Sequence, residues 1–197
     1  MSEFRPLGIV LHVSASTGGD ACDIGRWHHQ RGFREIGYHR VLRNGVDMQG
    51  DYAPRFDGAW QLGRSDTEQG AHCLARGMNQ CTLGVCVIGN PGWTVDGPGY
   101  LPHGPIGRMV KRPYMTVEQS HSLIRGLARL CRAFAFDPTG TFIHPATGAR
   151  IPVITQHSDH DPQKPFCASM DLRIVRRRVK RAMREAAMRT PAVSGAR

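Results

Sequence analysis

The chain has no Cys-x-x-Cys pair, no apolar run long enough to cross a bilayer and no internal repeat. The spacing of its six cysteines is unlike a secreted scaffold, which argues against a disulfide framework. The second absence excludes a spanning helix and the third excludes solenoids and propellers. The first residues, Met1 to Pro6, show neither a basic segment leading into an apolar stretch nor a cleavage site. A cytoplasmic product without a secretory leader is therefore expected. An aromatic-lined platform is also missing, as is any nucleic-acid recognition motif, so no specific nucleic-acid partner is expected.

Acid is scarce as well, with 16 Asp and Glu against 26 Lys and Arg and a formal charge of +10. The excess is local: residues 172–197 hold nine basic residues and one acid, and the rest of the chain is close to neutral. What is present is enough for one real core, since 197 residues at 40% hydrophobic content fit a single globular domain.

Leu7 to Val13 reads as a buried strand, and Asp20 is placed to cap a helix from Ala21 to Gln30 that Gly32 ends. Tyr38 to Leu42, Asn44-Gly45 and Val46 to Gln49 read as a hairpin with a type I′ turn. The segment from Gly50 to Gly70 is polar and irregular. Leu83 to Ile88 is the strongest central-strand candidate. Five prolines and five glycines between Asn90 and Tyr114 give a long loop. Thr116 and Gln119 suggest a capping box opening an amphipathic helix through Leu123, Leu127, Leu130 and Phe134. A last strand, Ile151 to Gln156, precedes a final helix from near Ser169 to about Met188, with an apolar stripe of Leu172, Val175, Val179, Met183 and Ala186. The expected fold class is α/β, a central mixed β-sheet flanked by helices, with a basic C-terminal helix.

Chemistry gathers at two strand ends. His12 closes the first strand and His157 the last, and Cys167 lies in a polar, Pro-containing loop rather than an apolar run. Two imidazoles and a thiolate suit a tetrahedral zinc that keeps its fourth position for water. His160 and Asp161 compete with Cys167 as third ligand, and the thiolate is preferred because it binds zinc more strongly. His28 and His29 are helix neighbours that cannot jointly grip one metal, which leaves them packing and surface roles. Tyr38 and His39 are adjacent in a strand, so only one can face the site.

Ile9-Val10-Leu11-His12-Val13-Ser14-Ala15-Ser16, Trp27-His28, Ile36-Gly37-Tyr38-His39, Gly70-Ala71-His72, Leu83 through Gly89 and His157 through Cys167 occur in the order seen in zinc-dependent N-acetylmuramoyl-L-alanine amidases of the type 2 family. The chain resembles the short phage endolysins of that family, relatives of peptidoglycan recognition proteins, over roughly residues 7–174. The resemblance implies an amidase/peptidoglycan recognition protein-like fold with one Zn2+ per chain held by His12, His157 and Cys167. It also implies a catalytic Tyr38, a catalytic Lys164 and a substrate-side groove histidine at His72. Lys164 stands three residues before Cys167, where the family's lysine commonly stands two before its ligand.

The activity so implied is peptidoglycan hydrolysis at the amide between N-acetylmuramic acid and L-alanine, by a zinc-activated water. The alternative is a non-catalytic peptidoglycan-binding module of the same fold. Residues 1–171 would form the catalytic domain and 172–197 a basic helix and tail, part of it or appended to it. Peptidoglycan is the expected partner, and anionic outer-membrane lipid or lipopolysaccharide is a further one for the basic helix. A monomer that reaches the wall after the membrane is permeabilised completes the expectation.

Overall fold

The computed structural model describes residues 4–90 and 115–189, with the paired backbone of 93–94 and 97–98. In chain order the elements are β1 (Gly8–Val13), α1 (Ala21–Gln30), β2 (Arg40–Val46), β3 (Tyr52–Leu62), β4 (Thr82–Val87), the two-residue strands β5 (Trp93–Thr94) and β6 (Gly97–Pro98), α2 (Val117–Ala133), β7 (Thr141–Ile143), β8 (Arg150–Pro152), β9 (Ile154–Gln156) and α3 (Leu172–Arg189). Short 3-10 turns occupy Ala75–Gln80 and His157–Asp159. Five strands make one sheet in the order β3-β2-β4-β1-β9. β2, β4, β1 and β9 run parallel to their neighbours, and β3 joins β2 antiparallel, so the sheet is mixed.

Alternation along the central strands sorts residues onto two faces. Ile9, Leu11 and Val13 of β1, Leu83, Val85 and Val87 of β4 and Ile154 of β9 join one buried cluster with Leu123, Leu127, Leu130 and Cys131 of α2 and Leu172, Val175 and Val179 of α3. The intervening residues face α1 and the loops: Cys86, Val41 and Ile88 pack with Ile24, and His12 is wholly buried among them in β1. Asp20 caps α1 by accepting from the Cys22 and Asp23 amides, and the Asp23 side chain returns the bond to Asp20.

The hairpin expected at Asn44-Gly45 is not there. β2 runs through both residues, and the turn lies at Asp47 to Asp51, where Asp47 Oδ1 accepts from the Gln49 and Asp51 amides at 2.9 Å each. A type I′ turn needs positive φ at both central residues, and only Gly45, at 80°, has it. Asn44 is buried and donates from its side-chain amide to Thr17 O at 2.8 Å, so the pair forms an irregularity in the β2–β3 register instead. Gly50 to Gly70 is likewise not wholly irregular, since it contains the eleven-residue β3. β3 is an edge strand with mostly half-exposed residues, which removes the apolar signature of a central one.

Only half of the expected capping box at Thr116 forms. Thr116 Oγ1 accepts the Gln119 amide at 2.9 Å, but the buried Gln119 side chain donates into the sheet, to Leu42 O and Ile88 O. The single strand expected over Ile151 to Gln156 is two. It changes partners at Val153, with β8 pairing β7 and β9 pairing β1. α3 starts at Leu172, with Asp171 Oδ1 accepting the Arg173 and Ile174 amides. Most of the long loop after Asn90 lies outside the described residues. Among the described residues no helix is long and apolar enough to cross a membrane.

Candidate functional site

β1 and β9 are parallel neighbours, with Leu11 opposite Gln156. One residue further along the chain stand His12, still in β1, and His157, which opens the 3-10 turn after β9, and their rings lie 4.7 Å apart, centroid to centroid. Cys167 returns to them through consecutive turns. Asp161 N–H donates to His157 O, Lys164 N–H to Asp161 O and Cys167 N–H to Lys164 O, at 3.0, 3.0 and 3.1 Å, and Ser158 N–H closes the excursion on Cys167 O. The sulfur sits 3.4 Å from the Val13 amide, which donates to it, and 3.8 Å from His12 Nδ1.

One ligand atom each of His12, His157 and Cys167 lies within 4.8 Å of the other two. Burial depresses the pKa of His12 well below its usual value, with His72 and His157 adding to the effect, and burial also lowers that of His157. Neutral imidazoles offer lone pairs at ordinary pH. Burial raises the Cys167 thiol to about 11, against the Val13 amide and Lys164. A bound metal would draw the thiolate from it. Two imidazoles and a thiol, with no carboxylate among them, are a donor set suited to zinc in a site with one position left open.

The two rivals of Cys167 lie outside that group of three. His160 is buried, with Nε2 on Thr155 Oγ1 at 2.9 Å, and burial takes its pKa to about 4. Asp161 stands 3.7 Å from His157 Nε2, an ion-pair distance outside hydrogen-bond range.

His157 and Cys167 line a cleft of about 520 Å³ that also takes in Tyr38, His28, His72 and Lys164, while His12 is wholly buried against them. Tyr38 faces the cleft with its ring 5.0 Å from His12, while His39 turns inward. Burial holds the Tyr38 phenol well above its usual pKa, helped by the Cys86 and Cys167 sulfurs. Lys164 is exposed at the rim. His72 is only 7% exposed, and both its ring nitrogens have partners inside the protein.

Two residues are tied more closely to the site than the sequence suggested. His28 packs, as expected, but beside Tyr38: its ring lies 5.2 Å from the tyrosine ring and its Nδ1 accepts the Gly37 amide at 2.9 Å. Cys86 looks like any small core residue in an apolar run. It is the β4 register partner of His12 and lies within hydrogen-bonding reach of the Tyr38 hydroxyl. Neither has a distinctive spacing.

No protein-family model matches the chain. The endolysin of Enterobacteria phage T3 is 30% identical over 94 residues, 44% of this chain and 53% of that protein. The chain thus spans about half the length of the curated relatives it matches. Among solved structures, the N-acetylmuramoyl-L-alanine amidase LysC from Clostridium intestinale URNW superimposes with a TM-score of 0.59 at 19% identity, covering 91% of this chain and 90% of that one. Drosophila PGRP-LB follows with a TM-score of 0.51 at 16% identity, covering 84% and 77%. The fold is therefore that of these proteins, a mixed sheet flanked by helices.

Proposed function

We propose that the chain is a peptidoglycan amidase of the endolysin kind, which hydrolyses the amide between the lactyl group of N-acetylmuramic acid and L-alanine with one zinc held by His12, His157 and Cys167. The observation that carries this reading is the meeting of those three ligand atoms, from residues as far apart as 12 and 167, beside a cleft lined by His157, Cys167, Tyr38 and Lys164. The endolysin relatives and the amidase fold support it. Residues 1–171 are read as the catalytic unit.

Zinc bound there would supply Lewis acidity, bringing the pKa of a water to about 7 and polarising the scissile carbonyl. The chain's own residues do the rest. Tyr38, packed beside His12 and lining the cleft, places a hydroxyl that can donate to the carbonyl oxygen as that oxygen gains charge. His28 packs against the Tyr38 ring and limits where the hydroxyl can point. Lys164 places an ammonium at the cleft rim to steady negative charge, and its backbone carbonyl holds the Cys167 amide. The products are a lactyl carboxylate on the glycan and a new L-alanine amino terminus.

α3 is read as a polyanion-facing surface in addition to a structural helix. Its apolar stripe is spent on the core, through Leu172, Val175 and Val179. Arg176 donates to Ile154 O, and Lys180 pairs with Asp137. Arg173 and Arg181 pair with Asp171 and Glu185, and exposed Arg177, Arg178, Arg184 and Arg189 are left to face an anionic envelope, reached once the membrane is breached.

The test pairs metal content with release of L-alanine amino termini from purified peptidoglycan, in wild type, Cys167→Ser and Tyr38→Phe. One zinc per wild-type chain, loss of zinc and activity in Cys167→Ser, and loss of activity alone in Tyr38→Phe are expected. Release of reducing sugar ends would show a glycosidase and end this reading. Binding to peptidoglycan without any cleavage would make the chain a binding module.

A further inference from the structure

β4 crosses the middle of the sheet with a glycine, Gly84, where glycine weakens a strand. The reason is a ring. A Cβ at Gly84 would stand 2.4 Å from His72 Cγ, and one at Gly70 would stand 2.4 Å from His72 Cδ2. Two glycines, one on a strand and one on a loop, leave the slot that His72 fills. Asn79 Oδ1 fixes the loop by accepting the His72 and Cys73 amides at 2.7 Å each. His39 ties the strand to the loop, accepting the Gly84 amide on Nδ1 at 2.9 Å and donating from Nε2 to Glu68 O at 3.0 Å.

From this slot, Nδ1 of His72 meets Nε2 of His12 at 3.0 Å, and Nε2 of His72 meets Thr82 O at 3.1 Å. A carbonyl can only accept, so Nε2 of His72 carries the hydrogen. In a neutral ring Nδ1 is then an acceptor, and Nε2 of His12 must donate to it. That leaves Nδ1 of His12 with a lone pair, and Nδ1 is the nitrogen facing Cys167 Sγ. The proton order follows from the partners of each ring.

We infer that His72 is a positioning residue for His12, fixing its tautomer and ring angle so that Nδ1 is presented to a metal as an electron pair. This deepens the zinc reading and rests on it. It also gives His72 a different task from the substrate contact that the family resemblance implied, since neither ring nitrogen is free to meet a substrate. Partners of this kind behind a ligating histidine govern metal affinity as well as rate.

The experiment measures zinc affinity by competition with a chelator for wild type, His72→Leu and His72→Asn. Nitrogen NMR of the imidazole rings in the metal-free wild type accompanies it. Leucine fills the slot without an acceptor, while asparagine returns one close to the Nδ1 position. Zinc binding should weaken about 10- to 100-fold in His72→Leu and recover most of that in His72→Asn. The NMR spectrum should show the His12 proton on Nε2. Equal affinity in wild type and His72→Leu overturns the inference alone, as does asparagine performing no better than leucine. A wild type that takes up no zinc overturns the metal reading and this inference with it. Should His72→Leu fail to fold, the tautomer decides: a proton on Nδ1 of His12 overturns the assignment.

Discussion

The two faces of the central sheet use the same strands for opposite ends. Towards α2 and α3, β1 and β4 present Ile9, Leu11, Val13, Leu83, Val85 and Val87, a continuous aliphatic layer. Towards the cleft the alternate positions hold His12, Gly84 and Cys86, with His72 lying on the glycine. One face gains its free energy from apolar area removed from water. The other carries a buried polar chain that costs stability unless every nitrogen is paired. The lesson is that a period of two lets neighbouring residues of one strand answer to separate demands, folding on one side and ligation on the other.

His12→Ala and Leu11→Ala should break the comparison most sharply, since they are adjacent and point apart. His12→Ala is expected to reduce L-alanine release to background and abolish zinc uptake. It leaves His72 Nδ1 unpaired at a cost of about 1–3 kcal/mol, which a folded domain can bear. Leu11→Ala should lose about 2–5 kcal/mol of stability in denaturant titration, while the fraction still folded keeps its zinc and its rate. If Leu11→Ala abolished zinc binding while still folded, the two faces would not be separable.

Tyr38→Phe comes next in size. Losing one donor to a developing oxyanion costs on the order of a hundredfold in kcat. Zinc content and thermal midpoint should be nearly unchanged, because the ring that packs near His12 and His28 is kept. A fall in zinc content with the rate would make Tyr38 part of the support for the ligands instead.

The same contrast explains what could be read from the sequence. The core face was legible because branched apolar runs such as Leu83 to Ile88 survive as one-dimensional patterns. The ends of those runs gave His12 and His157. The cleft side was less legible, because its logic lies in contacts between distant residues. Nothing around His72 reports that Gly84 makes room for it or that His12 is its partner. β3 was missed since an edge strand needs no apolar alternation, and Asn44-Gly45 misled because Asn44 spends its side chain on Thr17 O rather than on a turn. The capping box at Thr116 half failed for a related reason: Gln119 found two carbonyls of the sheet.

Lys164→Ala should have a smaller effect than Tyr38→Phe, within about tenfold in kcat, since an exposed ammonium acts through screened attraction. Raising ionic strength should slow the wild type more than the variant. An effect equal to that of Tyr38→Phe would mean that the lysine reaches the reacting carbonyl directly.

Acid stability separates the two faces in a different way, through the cleft side of the sheet. His160 is buried, and its pKa falls from 6.5 to about 4 in the folded chain. The unfolded chain therefore binds more protons between those two values, and stability rises with pH across that window. The contribution is complete above about 6.5 and drains away as pH falls towards 4, each unit of depression being worth about 1.4 kcal/mol. The thermal midpoint of the metal-free protein should thus drop on acidification from neutral pH. His160→Gln, which keeps an amide to donate to Thr155 Oγ1 but cannot titrate, should make the drop shallower, the rest belonging to His12 and His72, whose pKa values burial also lowers. A leucine cannot titrate, so Leu11→Ala should lower the midpoint at every pH without changing the slope. An unchanged slope in His160→Gln would show that other buried histidines, and not His160, set the acid limit.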